Sequence, residues 1–348
     1  MSRVRLAVIG AGYLGRIHAR LARTLPEIEL VGIVDPIAAN RDAIAAENQT
    51  RSVASPTDLI GQIDAAVIAT PTKIHHAVAL DLLLQGVHCL VEKPITLCAT
   101  DADELIATAQ QQHCVLQVGH VERFNPAFLA GRPLVDQPQL VDANRAAPYT
   151  FRSTDVSVVL DLMIHDIDLA LSLIPSEVRR IEAVGGKVFG PNEDWAQAWL
   201  TFANGAVASL SASRVHSSVQ RTMNVVGEHG FLSLDFQAKT AHIMRPSEDV
   251  RRLPDVNRLP IARREELKSE LTNKHLAVRG LPVTENNAIL EELREFASAI
   301  QSGTPVTADG GVGRDALAIA EEILSVLANA HRAIVLPLRP AVPWKAAG

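Results

Sequence analysis

Three short patches hold the residues of this chain that can do chemistry together: Gly10-Ala-Gly12-Tyr13-Leu14-Gly15, Glu92-Lys93-Pro94 and Asp161-Leu-Met-Ile-His165. The first follows an apolar run and opens a helical pattern. In that setting the first glycine permits a tight turn, the second lets the backbone approach a pyrophosphate, and the third lets helix and strand pack closely. The phosphates then meet the free N–H groups of the first helical turn, at Tyr13 and Leu14, and the positive helix end. Asp35 follows Gly15 by about 20 residues, where a carboxylate accepts hydrogen bonds from the adenosine ribose. A carboxylate there repels a 2′-phosphate, so the cofactor is expected to be NAD; the plain alternative for Asp35-Pro36 is a turn. Thr70 and Thr72 lie at the end of a later strand, over the crevice where such sheets bind ligands. Thr72 either caps a helix or touches the cofactor, and His75 either contacts the cofactor or sits on the surface.

Lys93 is placed to hydrogen-bond a reacting hydroxyl beside the nicotinamide and to favour an alkoxide-like transition state. Glu92 is expected to make an ion pair or a cofactor contact; an ordinary surface pair is the bland alternative. Asp161 and His165 are four apart on a predicted helix and share a face. Imidazole, with a pKa near neutrality, suits the role of accepting the hydroxyl proton as hydride leaves, while Asp161 binds substrate or orients the ring. Asp166 and Asp168 extend an acidic cluster. A divalent metal is a weaker reading of that cluster, because no second histidine stands at ligand spacing, and no metal is expected. Capping and surface charge are the plain reading. Together the patches describe hydride transfer between a nicotinamide and a small hydroxylated molecule.

The elements that must position these residues change character along the chain. Up to about residue 120, apolar strands (Arg5–Ile9, Leu30–Val34, Ala65–Ala69, His88–Val91, Val115–Val118) alternate with helices (Tyr13–Thr24, Ile74–Gln85, Thr100–Gln112, the last with Thr100 and Asp101 as caps). That pattern predicts an α/β fold, a doubly wound parallel Rossmann sheet covered on both faces. Residues 121–348 are expected to form a second, α+β domain for substrate binding and oligomerisation. Its strands lie near 139–146, 178–189, 194–202, 206–215, 220–227, 231–236 and 240–244. Turn signals between alternating segments predict a large, mostly antiparallel, open sheet. One helix, 156–173, interrupts it; two more, 285–301 and 312–330, close the chain. The stripe Ile289, Leu290, Leu293, Phe296, Ala297 and Ile300 is expected to cover one sheet face. The other face, with Trp195 and Trp199 on one strand and Ser209, Ser211 and Ser213 on the next, has no cover, which predicts a homo-oligomer, a dimer or tetramer, through it. The arginine-rich stretch from Arg245 to Pro282 lacks periodicity and is expected to pass over the active site, ordered or as a lid.

Net charge is −6, so nucleic acid is not an expected partner. No apolar run reaches the roughly 20 residues that cross a bilayer, so no membrane association is expected. Cys89, Cys98 and Cys114 form no CxxC pair and read as reduced thiols of a cytoplasmic protein.

The three patches, in this order, resemble the glucose–fructose oxidoreductase, inositol dehydrogenase and rhizopine-catabolism (Gfo/Idh/MocA) family of NAD(P)-dependent oxidoreductases. The resemblance extends to Gly303-Thr-Pro-Val-Thr-Ala-Asp-Gly310. It implies that Lys93, Asp161 and His165 line the substrate beside the nicotinamide. Gly119-His-Val-Glu-Arg-Phe-Asn-Pro126, taken with Asp155–Asp168, is similar to a branch that oxidises the 3-hydroxyl of UDP-linked N-acetylamino sugars and feeds an aminotransferase in lipid A precursor synthesis. This implies a nucleotide-sugar substrate, with Arg123, Asn125 and Arg152 reading its diphosphate and acetamido groups. Two alternatives remain: a dehydrogenase of a free polyol such as inositol, and a non-catalytic NAD-binding sensor with no use for Lys93 or His165.

Overall fold

The computed structural model describes residues 2–150, 156–228, 230–252 and 256–330. Arg152 lies outside these residues. The first sheet contains β1 (Val4–Ile9), β2 (Ile28–Val34), β3 (Arg51–Val53), β4 (Ala65–Ile68), β5 (His88–Glu92) and β6 (Leu116–Gly119), in the order β3-β2-β1-β4-β5-β6. Every pairing is parallel. All four residues of β4 are buried, as both-sided cover requires. Helices α1 (Tyr13–Ala22) and α2 (Ala38–Asn48) pack on one face, and α3 (His75–Leu84) and α4 (Ala99–Gln111) on the other. Strand order reverses between β1 and β4, so the crevice for a ligand opens at the carboxyl ends of β1, β4 and β5. Those ends carry Gly10, Thr70 and Lys93.

Some local expectations are corrected. Helix α2 and strand β3 were unforeseen: α2 buries only Ile44, Ala45 and Asn48, and β3 is a three-residue edge strand, so neither shows a usable period. Thr100 and Asp101 are not caps. They lie inside α4, whose first N–H, at Ala99, is met instead by Glu321 Oε2 at 3.1 Å.

The second half adds α5 (Pro126–Gly131), β7 (Pro138–Ala146), α6 (Ile164–Leu173), β8 (Val178–Gly186), β9 (Trp195–Phe202), β10 (Val207–Ser213), β11 (Gln220–Gly227), β12 (Gly230–Asp235), β13 (Thr240–Met244), α7 (Glu248–Arg251), α8 (Ile261–Glu270), β14 (Val278–Gly280), α9 (Ala288–Ser302) and α10 (Gly310–Ala330). Its eight strands run in the order β14-β13-β12-β11-β7-β10-β9-β8. All pairings are antiparallel except the central β7–β10 pair, which is parallel because the chain crosses over through α6, β8 and β9 before returning.

The inner face of this sheet is a core of Ala143, Ala198, Leu200, Leu210, Ala212 and Met223, covered by α6 and α10. Leu317 of the same α10 enters the core of the first half, so one helix seals both. Helix α9 does not cover the second sheet as expected. Its Leu293, Phe296 and Ala297 pack with β1, α1 and α2 of the first half. The described ends of the Arg245–Pro282 stretch also depart from expectation. Val278 pairs with Met244, Ser247 N donates to His275 O, and an added Cβ on Gly230 would strike Arg245. These contacts put them at the Gly227–Gly230 end of the sheet, away from the end that carries Arg145 and Arg221. Among the described residues no helix is long and apolar enough to cross a membrane.

Candidate active site

The dinucleotide cradle is built from positions where a side chain is excluded. Gly10 has φ +103°, and a Cβ there would lie 2.5 Å from Ala69 O; a Cβ on Gly15 would lie 1.8 Å from Gly10 O. Gly12 differs: its Cβ direction is open, with nothing within 4 Å. Gly12 is the N-cap of α1, no side chain caps the helix, and its first turn has no acid. A first turn without a side-chain cap or an acid suits an anion. Asp35 Oδ2 accepts from Ala11 N at 2.8 Å and Oδ1 from Ile37 N at 2.8 Å. Each oxygen retains acceptor capacity for a ribose hydroxyl. Thr70 Oγ1 is buried without a hydrogen-bond partner among the described residues, at the crevice itself. An open space over Gly12, a bare helix end, a fixed carboxylate and an orphan hydroxyl together fit a dinucleotide.

Thr72 opens a 3-10 turn behind Pro71, which holds the N-cap position, so Thr72 is not the cap. His75 is neither on the surface nor free for a cofactor. It is 1% exposed, with Nδ1 2.9 Å from Pro94 O and Nε2 2.8 Å from Thr70 O. It ties the end of β4 to the turn after Lys93, and burial lowers its pKa. Glu92 likewise turns inward. Its Oε1 lies 2.6 Å from Nε2 of the buried His18 on α1. Burial pushes the Glu92 carboxyl upward, but His18 and Lys93 outweigh it and hold the pKa below the ordinary carboxylate range. The strand end that carries Lys93 is thereby pinned to the helix that would hold the cofactor.

Lys93 Nζ donates to Asp161 O at 2.5 Å and lies 3.4 Å from Asp161 Oδ1. Asp161 sits in a wide π-helical turn, Val159–Met163, that precedes α6. Asp161 is therefore partnered with Lys93, and the described structure shows no hydrogen bond from it to His165. The half-buried His165 has an Nδ1 without a hydrogen-bond partner among the described residues. Burial drives its pKa well below the ordinary value, and the cations Lys93, Arg145 and Arg221 push the same way. At neutral pH it is an uncharged imidazole, able to take a proton.

Asp166 and Asp168 are neither caps nor surface charges. Both are buried and paired with arginine. Arg145 binds Asp166 through Nε and Nη2, at 2.9 and 2.8 Å, and Glu122 through Nη1 at 2.8 Å. Burial works against the Arg145 charge, but the carboxylates of Asp166 and Glu122 prevail and raise its pKa. Arg123 forks onto Asp168 at 2.8–2.9 Å and donates Nη1 to Thr307 O. The expectation that Arg123 and Asn125 read a substrate is corrected by this network. Asn125 Nδ2 donates to Glu122 Oε2 and Phe236 O, and its Oδ1 caps α5 at Ala127 N. Both side chains are buried and turned to internal partners.

Three groups at the crevice escaped the sequence reading. His120 follows β6 and stands 3.7 Å from Asp168. Arg145 and Arg221 face each other on β7 and β11. The available signal was strand parity: Arg145 alternates with the buried Val141 and Ala143, and Arg221 with the buried Met223 and Val225. An arginine at an inward parity calls for a partner or a site. Arg145 has the partner; the exposed Arg221 side chain shows no hydrogen bond or ion pair among the described residues.

A parallel dinucleotide-binding sheet whose crevice presents a lysine and a neutral histidine defines an NAD-dependent oxidoreductase of CH–OH groups. A family model described as oxidoreductase family, NAD-binding Rossmann fold, matches residues 4–120, and a Gfo/Idh/MocA C-terminal domain model matches 119–233. The chain belongs to the Gfo/Idh/MocA family of oxidoreductases. It is 37% identical over 325 residues, 93% of this chain and 97% of the relative, to UDP-N-acetylglucosamine 3-dehydrogenase of Acidithiobacillus ferrooxidans. A solved structure of that enzyme superposes with a TM-score of 0.83 at 36% identity, covering 94% of this chain and 98% of the other. Levoglucosan dehydrogenase in complex with NADH and levoglucosan shares the fold, with a TM-score of 0.79 at 18% identity over 94% and 98% of the two chains.

Two outcomes follow. Gly12→Ala should leave stability within about 0.5 kcal/mol of wild type but weaken NAD binding, whereas Gly15→Ala should lose folding stability as well; denaturant melts and cofactor titration separate them. Asp166→Asn leaves half of a buried pair uncompensated and should cost about 3–5 kcal/mol in chemical denaturation.

Proposed function

We propose that this chain oxidises the 3-hydroxyl of UDP-N-acetylglucosamine, or a close UDP-N-acetylamino sugar, with NAD. The observation that carries the reading is the convergence of Lys93, from the first sheet, with Asp161 and His165, from the second half, at the carboxyl end of β5; the similarity to a UDP-N-acetylglucosamine 3-dehydrogenase along 93% of the chain supports the sugar. Bound nicotinamide supplies the hydride acceptor. Lys93, held by Asp161, donates to the reacting hydroxyl and favours its alkoxide-like form. His165, neutral through burial and neighbouring cations, accepts the proton. Asp35 holds the ribose, and the amides of Tyr13 and Leu14 the phosphates. Arg221, a cation at the inner edge of the sheet with no ion pair among the described residues, takes the place first assigned to Arg123 as partner of the substrate diphosphate. The 3-keto product suits a following transamination, the step expected of lipid A precursor synthesis. Cys89, Cys98 and Cys114 are free cysteines, which fits a cytoplasmic setting.

The outer face of the second sheet supports self-association. Trp195 and Trp199 are 39% and 37% exposed there beside Gln197, Ser209 and Ser211. We propose that a second copy of this chain covers it.

NADH formation should occur with UDP-N-acetylglucosamine and not with myo-inositol or glucose; turnover of free polyols alone overturns the nucleotide-sugar reading, and no turnover of any of them leaves an NAD-binding sensor. Lys93→Ala and His165→Ala should each lower kcat by ~10²–10⁴-fold, and wild-type rates in both overturn the mechanism. The acid limb of kcat/KM should lie below pH 6.5, because His165 must be neutral and its pKa is depressed. Arg221→Ala removes a cation that opposes protonation, so that limb should move up while KM rises. Light scattering at micromolar concentration should show an oligomer, and Trp195→Glu with Trp199→Glu should yield monomer; a monomeric wild type refutes the interface.

A further inference from the structure

His120 is the group at the crevice that the chemistry above leaves idle. It follows β6 as Lys93 follows β5, and these strands are neighbours, with Glu92 paired to Gly119. Its imidazole is 1% exposed, and neither Nδ1 nor Nε2 has a hydrogen-bond partner among the described residues. Buried polar atoms are normally satisfied, so a pair of orphans on one ring at a ligand crevice marks a place that a ligand completes.

The placement says which part of the ligand. Asp161, His165 and Asp168 occupy successive turns along one side of the stretch that becomes α6. Lys93 rests on Asp161 at its near end, and His120 Nδ1 stands 3.7 Å from Asp168 Oδ2 at its far end. His165 lies between them. Residues three apart on a helix are separated by about 4.5 Å along its axis. A group anchored beside Asp168 therefore addresses a different substituent from the oxygen that His165 and Lys93 share. Asp168 is fixed by the Arg123 fork and faces Nδ1. An acceptor on that side favours the tautomer with its proton on Nδ1, which leaves the Nε2 lone pair to accept. Burial, with the nearby cations Arg123 and Lys93, keeps the ring neutral against the pull of Asp168.

We propose that His120 Nε2 accepts a hydrogen bond from a donor on the ring carbon next to the one oxidised, a hydroxyl or an amide N–H, and so selects which hydroxyl is presented to His165. The proposal rests on the dehydrogenase reading above and names a specificity residue for it; Asp168 acts through His120 as a positioning residue.

The test pairs enzyme variants with substrate analogues. His120→Phe keeps bulk without the acceptor, and His120→Gln keeps an acceptor. Each is assayed by NADH formation with UDP-N-acetylglucosamine, its 4-deoxy analogue and UDP-glucose, which lacks the acetamido group. In wild type, kcat/KM should fall roughly tenfold for the analogue missing the group that His120 holds. His120→Phe should show a similar loss on the full substrate, mostly in KM, and no additional loss on that analogue. NAD affinity should be unchanged, and Gln should recover part of the loss. The same factor lost by His120→Phe on all three substrates, wild-type kinetics in that variant, or a fall in NAD affinity that Gln does not restore overturns the proposal. If His120→Phe does not fold, His120→Gln against the three substrates decides it by the same criterion. Should wild type turn over only inositol, the sugar assignment fails by itself, and the comparison runs with inositol and its monodeoxy forms.

Discussion

The site depends on a buried ion network that joins its two halves. Glu122 and Arg123 follow β6 of the first sheet, Arg145 ends β7 of the second, and Asp166 and Asp168 belong to the helix between. These five charges are nearly closed to water. Such a network adds little net stability over an apolar core of the same shape, because desolvation offsets much of the attraction. It does dictate one arrangement. A bidentate fork at each arginine permits a single rotation of α6, and that rotation turns Asp161 and His165 toward Lys93. The placement of Lys93, Asp161 and His165 is thus decided by charges buried behind them.

This division of labour explains which parts of the site could be read from sequence. The glycine loop and Asp35 were legible because their chemistry is local: a strand, a tight turn and a helix end lie within a few residues of one another. Motif order pointed to Lys93, Asp161 and His165, and the structure places Lys93 on Asp161. Arg123 and Asn125 were misjudged for the opposite reason. Their residue types suit a diphosphate, and only the positions of Asp168 and Phe236, tens of residues away, show that both side chains turn inward to internal partners. His75 and Glu92 were left open between surface and site, and both proved to be internal ties whose partners are His18 and two backbone carbonyls.

The fold shows the same boundary between local and distant information. Strands with clear alternation or continuous apolar runs were placed to within a few residues. The parallel β7–β10 pair was not, since pairing direction depends on a crossover rather than on either strand's pattern. Nor was the destination of α9. An apolar stripe shows that a helix is covered, not by which sheet, and here it returns to the first half to cover β1 and α1. That return, together with α10 entering both cores, links the two sheets by hydrophobic packing at the back while the ion network links them at the crevice.

The electrostatics follow from that closure. Cations from three elements, Lys93, Arg145 and Arg221, surround His165, yet Arg145 is neutralised by two carboxylates and Lys93 is held by Asp161. Arg221, at the rim, has no such partner among the described residues. Within, both histidines of the crevice are held neutral by burial. A neutral acceptor beside an ammonium donor is the polarity that alcohol oxidation requires: the proton has somewhere to go, and the developing negative charge on oxygen meets Lys93 rather than a carboxylate. Pairing the buried Asp166 and Asp168 with arginine compensates their charge, so the acidic run beside His165 does not favour its protonated form as free carboxylates would.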